Sequence, residues 1–257
     1  MERACILEAN TLEESDMSAM AQSVSIIIPT LNEAENVGPL VTQIVATGVS
    51  FQEIVFVDDR STDGTQEIIR ALGREQPVRL IERESAELGL AGAIMAGARA
   101  AQGELLLVMD ADLSHPPERI KDLLAPLLDG SADMVIGSRY VAGGSTPGWP
   151  LWRRMLSRTG GAFAYPLTGA RDSMSGFFAI PRSRLLELEP SAAGFKIAFE
   201  TIVRSGRKLR VREIPIAFRD RTRGHSKMSF SIALKFLRVW LQAIFRRAFG
   251  RTAIRKR

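Results

Sequence analysis

Cysteine is almost absent. Cys5 stands alone among 257 residues, so no internal disulfide can form, and a reducing, cytosolic setting is expected. Histidine is nearly as scarce: His115 and His225 offer zinc few ligands, and no Ser-His-Asp arrangement is visible. No segment approaches the roughly 18–20 uncharged apolar residues that a bilayer span needs. The chain does not open with a basic segment leading into an apolar run, so no signal peptide is expected. Repeats and low-complexity linkers are missing as well. No glycine precedes Gly38 after the first strand-like run, so GxGxxG is absent where a dinucleotide site would need it, and the P-loop pattern occurs nowhere.

What is present is ordinary for a globular chain: 46% apolar and 25% charged residues. The net charge of +5 conceals an asymmetry. Residues 219–257 carry +11 and the remainder −6, so the basic character belongs to the C-terminal segment. Such a segment suits a polyanionic neighbour such as nucleic acid, an anionic membrane surface or phosphates.

Residues 1–22 hold five acids and one base without a clear period and read as an acidic leader. From there, short apolar β-branched runs alternate with helical spacing. Strands are expected over 24–28, 53–57, 78–81, 105–109 and 134–136, and helices over 36–46, 65–73, 89–101 and 117–128. This alternation, with uniformly apolar strands, implies an α/β fold with a parallel sheet covered by helices on both faces. Gly89, Gly92 and Gly97 are read as marks of close helix–sheet packing. After about residue 140 the alternation fades into a helix over 151–164, a strand over 175–180, a helix over 195–204 and a strand over 209–218. One continuous domain over 23–228 is the better division, with a nucleotide half to about 130 and an acceptor half after it.

Residues 229–249 form a separate amphipathic pattern. Phe230, Leu234, Leu237, Leu241, Ile244, Phe245 and Ala248 make one apolar face, opposite a stripe of Lys235, Arg238, Gln242 and Arg246. A basic amphipathic helix containing Trp and Phe suits the membrane interface, and its apolar width argues against nucleic acid. Packing of this helix on the body of the domain or a second subunit is the competing reading.

In open α/β sheets ligands bind beyond the carboxyl ends of the strands. Those ends here carry PTLNE at 29–33, Asp58-Asp59, Asp110-Ala111-Asp112 and Ser138-Arg139-Tyr140. Two carboxylates at i, i+2 can converge on one hard cation, Mg²⁺ or Mn²⁺, whose shell is completed by water and phosphate oxygens. Alternatively Asp110 and Asp112 cap the turn before Pro116. Asp58 and Asp59 can accept hydrogen bonds from a base or ribose, or serve the following helix as caps, a role Ser61, Thr62 or Asp63 fills as well. Arg139, Arg153, Lys196, Arg221, Arg223 and Lys227 each read singly as a solvated charge. Together, beside an acidic metal site, they suit a reaction in which phosphates meet phosphates.

In order along the chain stand IIIPTLNEAENV (26–37), VFVDDRSTDGT (55–65), LGLAGAIMAG (88–97), VMDADLSHPPE (108–118), VIGSRYVAGG (135–144), DSMSGFFAIPRS (172–183), GFKIAFE (194–200) and RTRGHSKM (221–228). With these motifs the sequence resembles the family 2 glycosyltransferases of GT-A fold, and among them the dolichol-phosphate (polyprenol monophosphate) mannose synthases. The resemblance implies a Rossmann-like three-layer α/β/α domain with a mostly parallel sheet. It implies inverting transfer of mannose from GDP-mannose to a polyprenyl or dolichyl phosphate. Carried over by position, Pro29, Leu31, Glu33, Val57 and Asp59 would hold the guanosine. Asp110, Ala111 and Asp112 would hold the diphosphate, with a divalent cation on Asp110, Asp112 and Ser114. Arg139, Lys196, Arg221 and Lys227 would contact phosphates, and Arg153 and Ser157 would lie near the acceptor phosphate. Asp110, Asp112, Arg139 and Arg221 are the expected catalytic set. Leu31 stands where the family usually has an aromatic residue, Ser114 where many members have Gln, and Arg60 where Gly or Asp is common. The C-terminal transmembrane pairs of many relatives are missing, which resembles the type working peripherally at the cytosolic membrane face or with a small membrane-anchoring partner. Other prenyl-phosphate glycosyltransferases using UDP-glucose, and a non-catalytic nucleotide-sugar binder, are the alternatives.

Overall fold

A computed structural model describes residues 24–187, 196–205 and 209–220. The leader, Arg221, Lys227 and the amphipathic tail therefore lie outside the described residues.

The expected alternation is realised as β1 (Val24–Thr30), α1 (Ala34–Ala46), β2 (Glu53–Asp58), α2 (Thr65–Leu72), β3 (Val78–Glu82), α3 (Gly89–Ala100) and β4 (Leu105–Val108). A 3₁₀ turn (Pro117–Arg119), α4 (Ile120–Leu128) and β5 (Met134–Ser138) follow. The second half adds α5 (Leu151–Thr168), β6 (Phe178–Pro181), α6 (Arg182–Leu186), α7 (Ile197–Ser205) and β7 (Val211–Pro215). Every residue of β1, β2 and β5 is buried, which is why these strands read as unbroken apolar runs.

Seven strands form one sheet in the order β3-β2-β1-β4-β6-β5-β7. The sheet is mostly parallel, as expected, and the exception is β6, which runs antiparallel to both neighbours, β4 and β5. Phe178 pairs with Val108 on one side and Ile136 on the other. The chain returns through the long connection 139–177 and enters the sheet from the opposite end. An apolar run carries no signature of its direction.

Successive residues feed opposite faces. Ile26, Ile28 and Phe56 pack with Val37, Leu40, Val41 and Ile44 of α1, Ile69 of α2 and Ile120, Leu123 and Leu127 of α4. Ile27, Val55 and Val57 pack with Ala91 to Ala98 of α3, Leu185 of α6 and Ile197, Ala198 and Ile202 of α7. This is the three-layer α/β/α arrangement. The three glycines at α3 divide their roles. A Cβ at Gly97 would lie 2.6 Å from Ile27 Cγ2, so this glycine does permit close helix–sheet packing. Gly92 does not: its missing Cβ leaves room for the Glu87 carbonyl and the Arg83 guanidinium. Gly89 opens the helix at φ +50°.

Candidate active site

All four loops that leave β1 to β4 at their carboxyl ends contain one non-glycine residue in the left-handed region: Asn32 (φ 57°), Arg60 (68°), Leu88 (61°) and Leu113 (61°). Such residues cost about 1–3 kcal/mol each and persist only where surroundings over-determine them. Here the loops hold one another. Asn32 N donates to Ser61 Oγ at 2.8 Å, Thr62 N to Asn32 Oδ1 at 2.9 Å, Glu33 N to Thr65 Oγ1 at 2.9 Å and Ala34 N to Asp63 Oδ2 at 3.1 Å. Loop side chains thus satisfy orphan N–H groups where α1 begins.

On this platform the expected guanosine residues gather. Pro29 and Val57 are register partners on adjacent strands, both buried. Leu31 follows β1, partly exposed, and Glu33 precedes α1 with Oε2 accepting from Asn36 Nδ2 at 2.6 Å. The two aspartates after β2 have separate duties. Asp58 is buried and accepts from Ser61 N at 2.9 Å and Gln66 Nε2 at 2.6 Å, which ties the loop to α2 without capping it. Asp59 is met by Arg83 at 2.6 Å, with both side chains 11% exposed. Burial raises the Asp59 pKa, and Arg83 opposes that shift. Arg83 also donates to the carbonyls of Gly89 (3.1 Å) and Glu87, joining the loops after β2 and β3. Sequence reasoning did not single out Arg83; its signal was Gly92, whose bareness accommodates it.

The loop after β4 carries Asp110, Ala111, Asp112 and Ser114. Asp110 is one-third exposed at its side chain, whereas Ala111 and Asp112 are buried. Asp112 Oδ1 accepts Ser114 N at 3.1 Å. Ser114 Oγ is buried and has no hydrogen-bond partner. Two carboxylates and an unsatisfied hydroxyl are hard oxygen donors, the set that suits Mg²⁺ or Mn²⁺ with the remaining positions left to water and phosphate. The residues therefore fit a divalent cation. Among the described residues no group of three or more His, Cys, Asp or Glu forms a self-sufficient metal cage. His115 lies behind Asp110, fully buried. Desolvation lowers its pKa against the pull of Asp110 and Asp112, so the ring is neutral.

Across from this loop stands Arg139. Its Nε and Nη2 reach Asp172 at 2.8 and 2.7 Å, and its backbone N donates to the same carboxylate at 2.9 Å. Burial opposes the Arg139 charge, but Asp172 outweighs it and raises the pKa. Asp172 is itself held through its N–H by Glu213 of β7 at 2.9 Å. The Arg139 guanidinium lies 5.2–5.6 Å from the rings of Tyr140, Trp149 and Phe218. Asp172, missed as a site residue, was legible only inside the motif at 172–183. Lys196, just before α7, is half-buried, with Nζ donating to Met174 O at 3.1 Å. Desolvation, helped by Arg139, lowers its pKa to about 8.

Arg153 and Ser157 lie on α5. Arg153 stacks 4.0 Å over Trp149 and pairs with Asp220 at 2.9 Å, and Ser157 accepts from the Tyr140 hydroxyl. Trp149 Nε1, beside both arginines, is buried without a hydrogen-bond partner. The structure thus brings together Arg139, Arg153, Ser157 and the loop at 110–115 through shared aromatic neighbours.

The profile of glycosyl transferase family 2 matches residues 25–195. The chain belongs to this family. Relatives named dolichol-phosphate mannosyltransferase sharpen the placement. That of Pyrococcus furiosus is 40% identical over 221 residues, covering 84% of this chain and 62% of the relative's length. Those of Mycosarcoma maydis and Saccharomyces cerevisiae are 39% and 38% identical and are covered to 82% and 85%. Among solved structures, glucosyl-3-phosphoglycerate synthase of Mycobacterium tuberculosis with UDP superposes at TM-score 0.66 and 20% identity, covering 89% of this chain and 83% of that one. Its complex with Mn²⁺, UDP and product gives 0.64 and 19%, covering 91% and 83%. At such identity the likeness establishes the GT-A-like fold of this family 2 glycosyltransferase.

Proposed function

We propose that this glycosyltransferase moves mannose from GDP-mannose to a dolichyl or related polyprenyl phosphate, inverting the anomeric carbon. The observation that carries the reading is the pairing of an oxygen-donor metal loop, Asp110, Asp112 and Ser114, with a basic wall of Arg139 and Lys196, in a chain whose relatives bear the name dolichol-phosphate mannosyltransferase.

In the reaction a phosphate oxygen of the acceptor forms a bond to the sugar C1 while the bond from C1 to the GDP oxygen breaks. A phosphate monoester has a second pKa near 6, so the nucleophile is already mostly dianionic at neutral pH and needs no general base. Consistently, His115 is neutral, buried and turned onto Asp110. The protein's work is to bring two anions together and orient them, which positioning and fixed charge accomplish. Pro29, Leu31, Glu33, Val57 and Asp59 would seat the nucleoside. Arg139, Lys196, Arg153 and Ser157, with Arg221 and Lys227, would hold phosphates. Asp110, Asp112 and Ser114 would hold a divalent cation, which would supply charge neutralisation for the departing diphosphate.

The acceptor's lipid tail calls for a membrane surface, and α5 offers one. Leu151, Trp152, Met155, Leu156 and Phe163 are 58–71% exposed on the helix that also carries Arg153, Arg154, Ser157 and Arg158. Large apolar side chains exposed together mark an interaction surface, and basic neighbours favour an anionic one. Among the described residues no helix is long and apolar enough to cross a membrane. We therefore read the chain as peripheral at the cytosolic face, with α5 joining the amphipathic tail as its contact.

The deciding experiment incubates the protein and dolichyl phosphate with labelled GDP-mannose, UDP-glucose or GDP-glucose, with and without EDTA. Label should enter organic-soluble lipid from GDP-mannose alone and vanish with EDTA. Labelling from UDP-glucose instead would replace the donor, and no labelling from any of them would reduce the protein to a binder.

A further inference from the structure

One side chain meets Asp110 from behind, bonded to its backbone and facing its carboxylate. Its backbone N–H donates to His115 Nδ1 at 3.0 Å. That bond occupies the Nδ1 lone pair, so the neutral ring carries its proton on Nε2. Nε2 faces the carboxylate of the same aspartate, 3.8 Å from Oδ2. The geometry requires the chain to fold back within five residues, which Leu113 allows by adopting φ 61°.

The ring has no freedom to swing away. It stacks on Phe177 at 5.1 Å and 13°, and Phe218 closes its other side edge-on at 5.4 Å. Gly176 completes the enclosure: a Cβ there would stand 3.3 Å from both Asp110 oxygens and from His115 Cε1. The carboxylate and the imidazole thus share a slot walled by bare backbone. Neither nitrogen is available to a substrate, so the ring serves neither as base nor as ligand.

We infer that His115 is a positioning residue for the divalent cation, fixing the rotamer of Asp110 before metal and diphosphate arrive. The inference rests on Asp110 being a metal donor, as in the reading above. Groups that orient metal ligands without touching the metal typically change affinity 10–100-fold when removed.

The test measures Mn²⁺ binding to the full chain with GDP present, by electron paramagnetic resonance of free Mn²⁺. His115→Phe keeps the size and stacking of the ring and removes both nitrogens. His115→Asn restores an acceptor near Asp110 N–H. Gly176→Ala pushes a methyl into the slot while leaving His115 in place. His115→Phe should weaken Mn²⁺ binding about 10–100-fold, Gly176→Ala should weaken it too, and His115→Asn should fall between His115→Phe and the wild type. Metal-free GDP binding and the thermal midpoint should hold, which a merely structural role would not give. Wild-type Mn²⁺ affinity in His115→Phe overturns the inference; should that variant not fold, wild-type affinity in Gly176→Ala does. Asp110→Ala separates the two layers of argument. If it binds Mn²⁺ as well as the wild type, the metal assignment fails and the role of His115 with it. If it loses Mn²⁺ while His115→Phe keeps it, only the role of His115 fails.

Discussion

Arg219 donates its backbone N–H to the carbonyl oxygen of Ser114 at 3.2 Å. The chain leaving β7 is thereby tied to the loop that carries Asp110, Asp112 and Ser114. Phe218 N–H, one residue earlier, bonds to Ser145 O at 3.0 Å, and Asp220, one residue later, pairs with Arg153. Three consecutive residues thus stitch the donor loop, the loop after β5 and α5 together.

Asp172 should prove more costly to lose than a surface acid. Removing one partner of a buried pair costs about 3–5 kcal/mol, and for a chain of this size each kcal/mol moves the midpoint by roughly 2–4 °C. Asp172→Ala should lower the thermal midpoint by more than about 6 °C. Adding Arg139→Met should recover part of that loss without recovering activity, because the orphaned charge is gone but its function is too. Calorimetry of the single and double variants reads this directly.

Arg83 should act on the donor through Asp59. Hydrogen bonds to charged groups contribute about 1.5–3 kcal/mol, so Arg83→Ala should raise the KM for the nucleotide sugar about tenfold or more. The KM for the lipid acceptor should not follow. Equal shifts in both constants would mean that the loop after β3 does more than hold Asp59.

Lys196 makes activity pH-dependent. Its folded pKa is about 8, below the ordinary 10.5, so the ammonium is present below pH 8 and lost as pH rises through it. If that charge holds a phosphate, transfer should decline above about pH 8. Lys196→Arg should move the decline to higher pH. The stability sign is opposite: between pH 8 and 10.5 the unfolded chain binds the proton that the folded chain has released, so this group's contribution to stability rises with pH. Rate profiles and melts over the same buffers separate the two.

The α5 face should decide vesicle attachment. Burying a large apolar side chain is worth about 1.5–3 kcal/mol, so Leu156→Glu with Phe163→Glu should cut partitioning onto anionic vesicles more than tenfold. Both positions are exposed, so folding and GDP binding should persist. Co-flotation equal to wild type would assign that face to a protein partner.

Much of this architecture is visible in the residue pattern. The runs at β1, β2 and β5 are buried on both sides and could be little else. The proposed metal loop is visible as two acids where a strand ends. Direction and long-range partnership do not show in that pattern. The run at 175–180 contains nothing to say that it enters the sheet backwards. Arg139 lies 33 residues from Asp172, and a solvated surface arginine has the same local sequence. The spacing at 151–164 indicates a helix, but only the packing of Ala164 beside Phe199 reveals which side faces inward and how much apolar surface stays uncovered.

The left-handed residues at Asn32, Arg60, Leu88 and Leu113 bear on how such a protein can change over time. At Asn32 and Arg60 the loop shapes are enforced by cross-loop bonds from Ser61, Asp63, Thr65 and Asn32, not by whichever side chain projects outward. A position such as Leu31 is then free to exchange one exposed side chain for another while the backbone beneath it stays put. New donor preferences become reachable by single substitutions, without an intervening unfolded or reshaped ancestor.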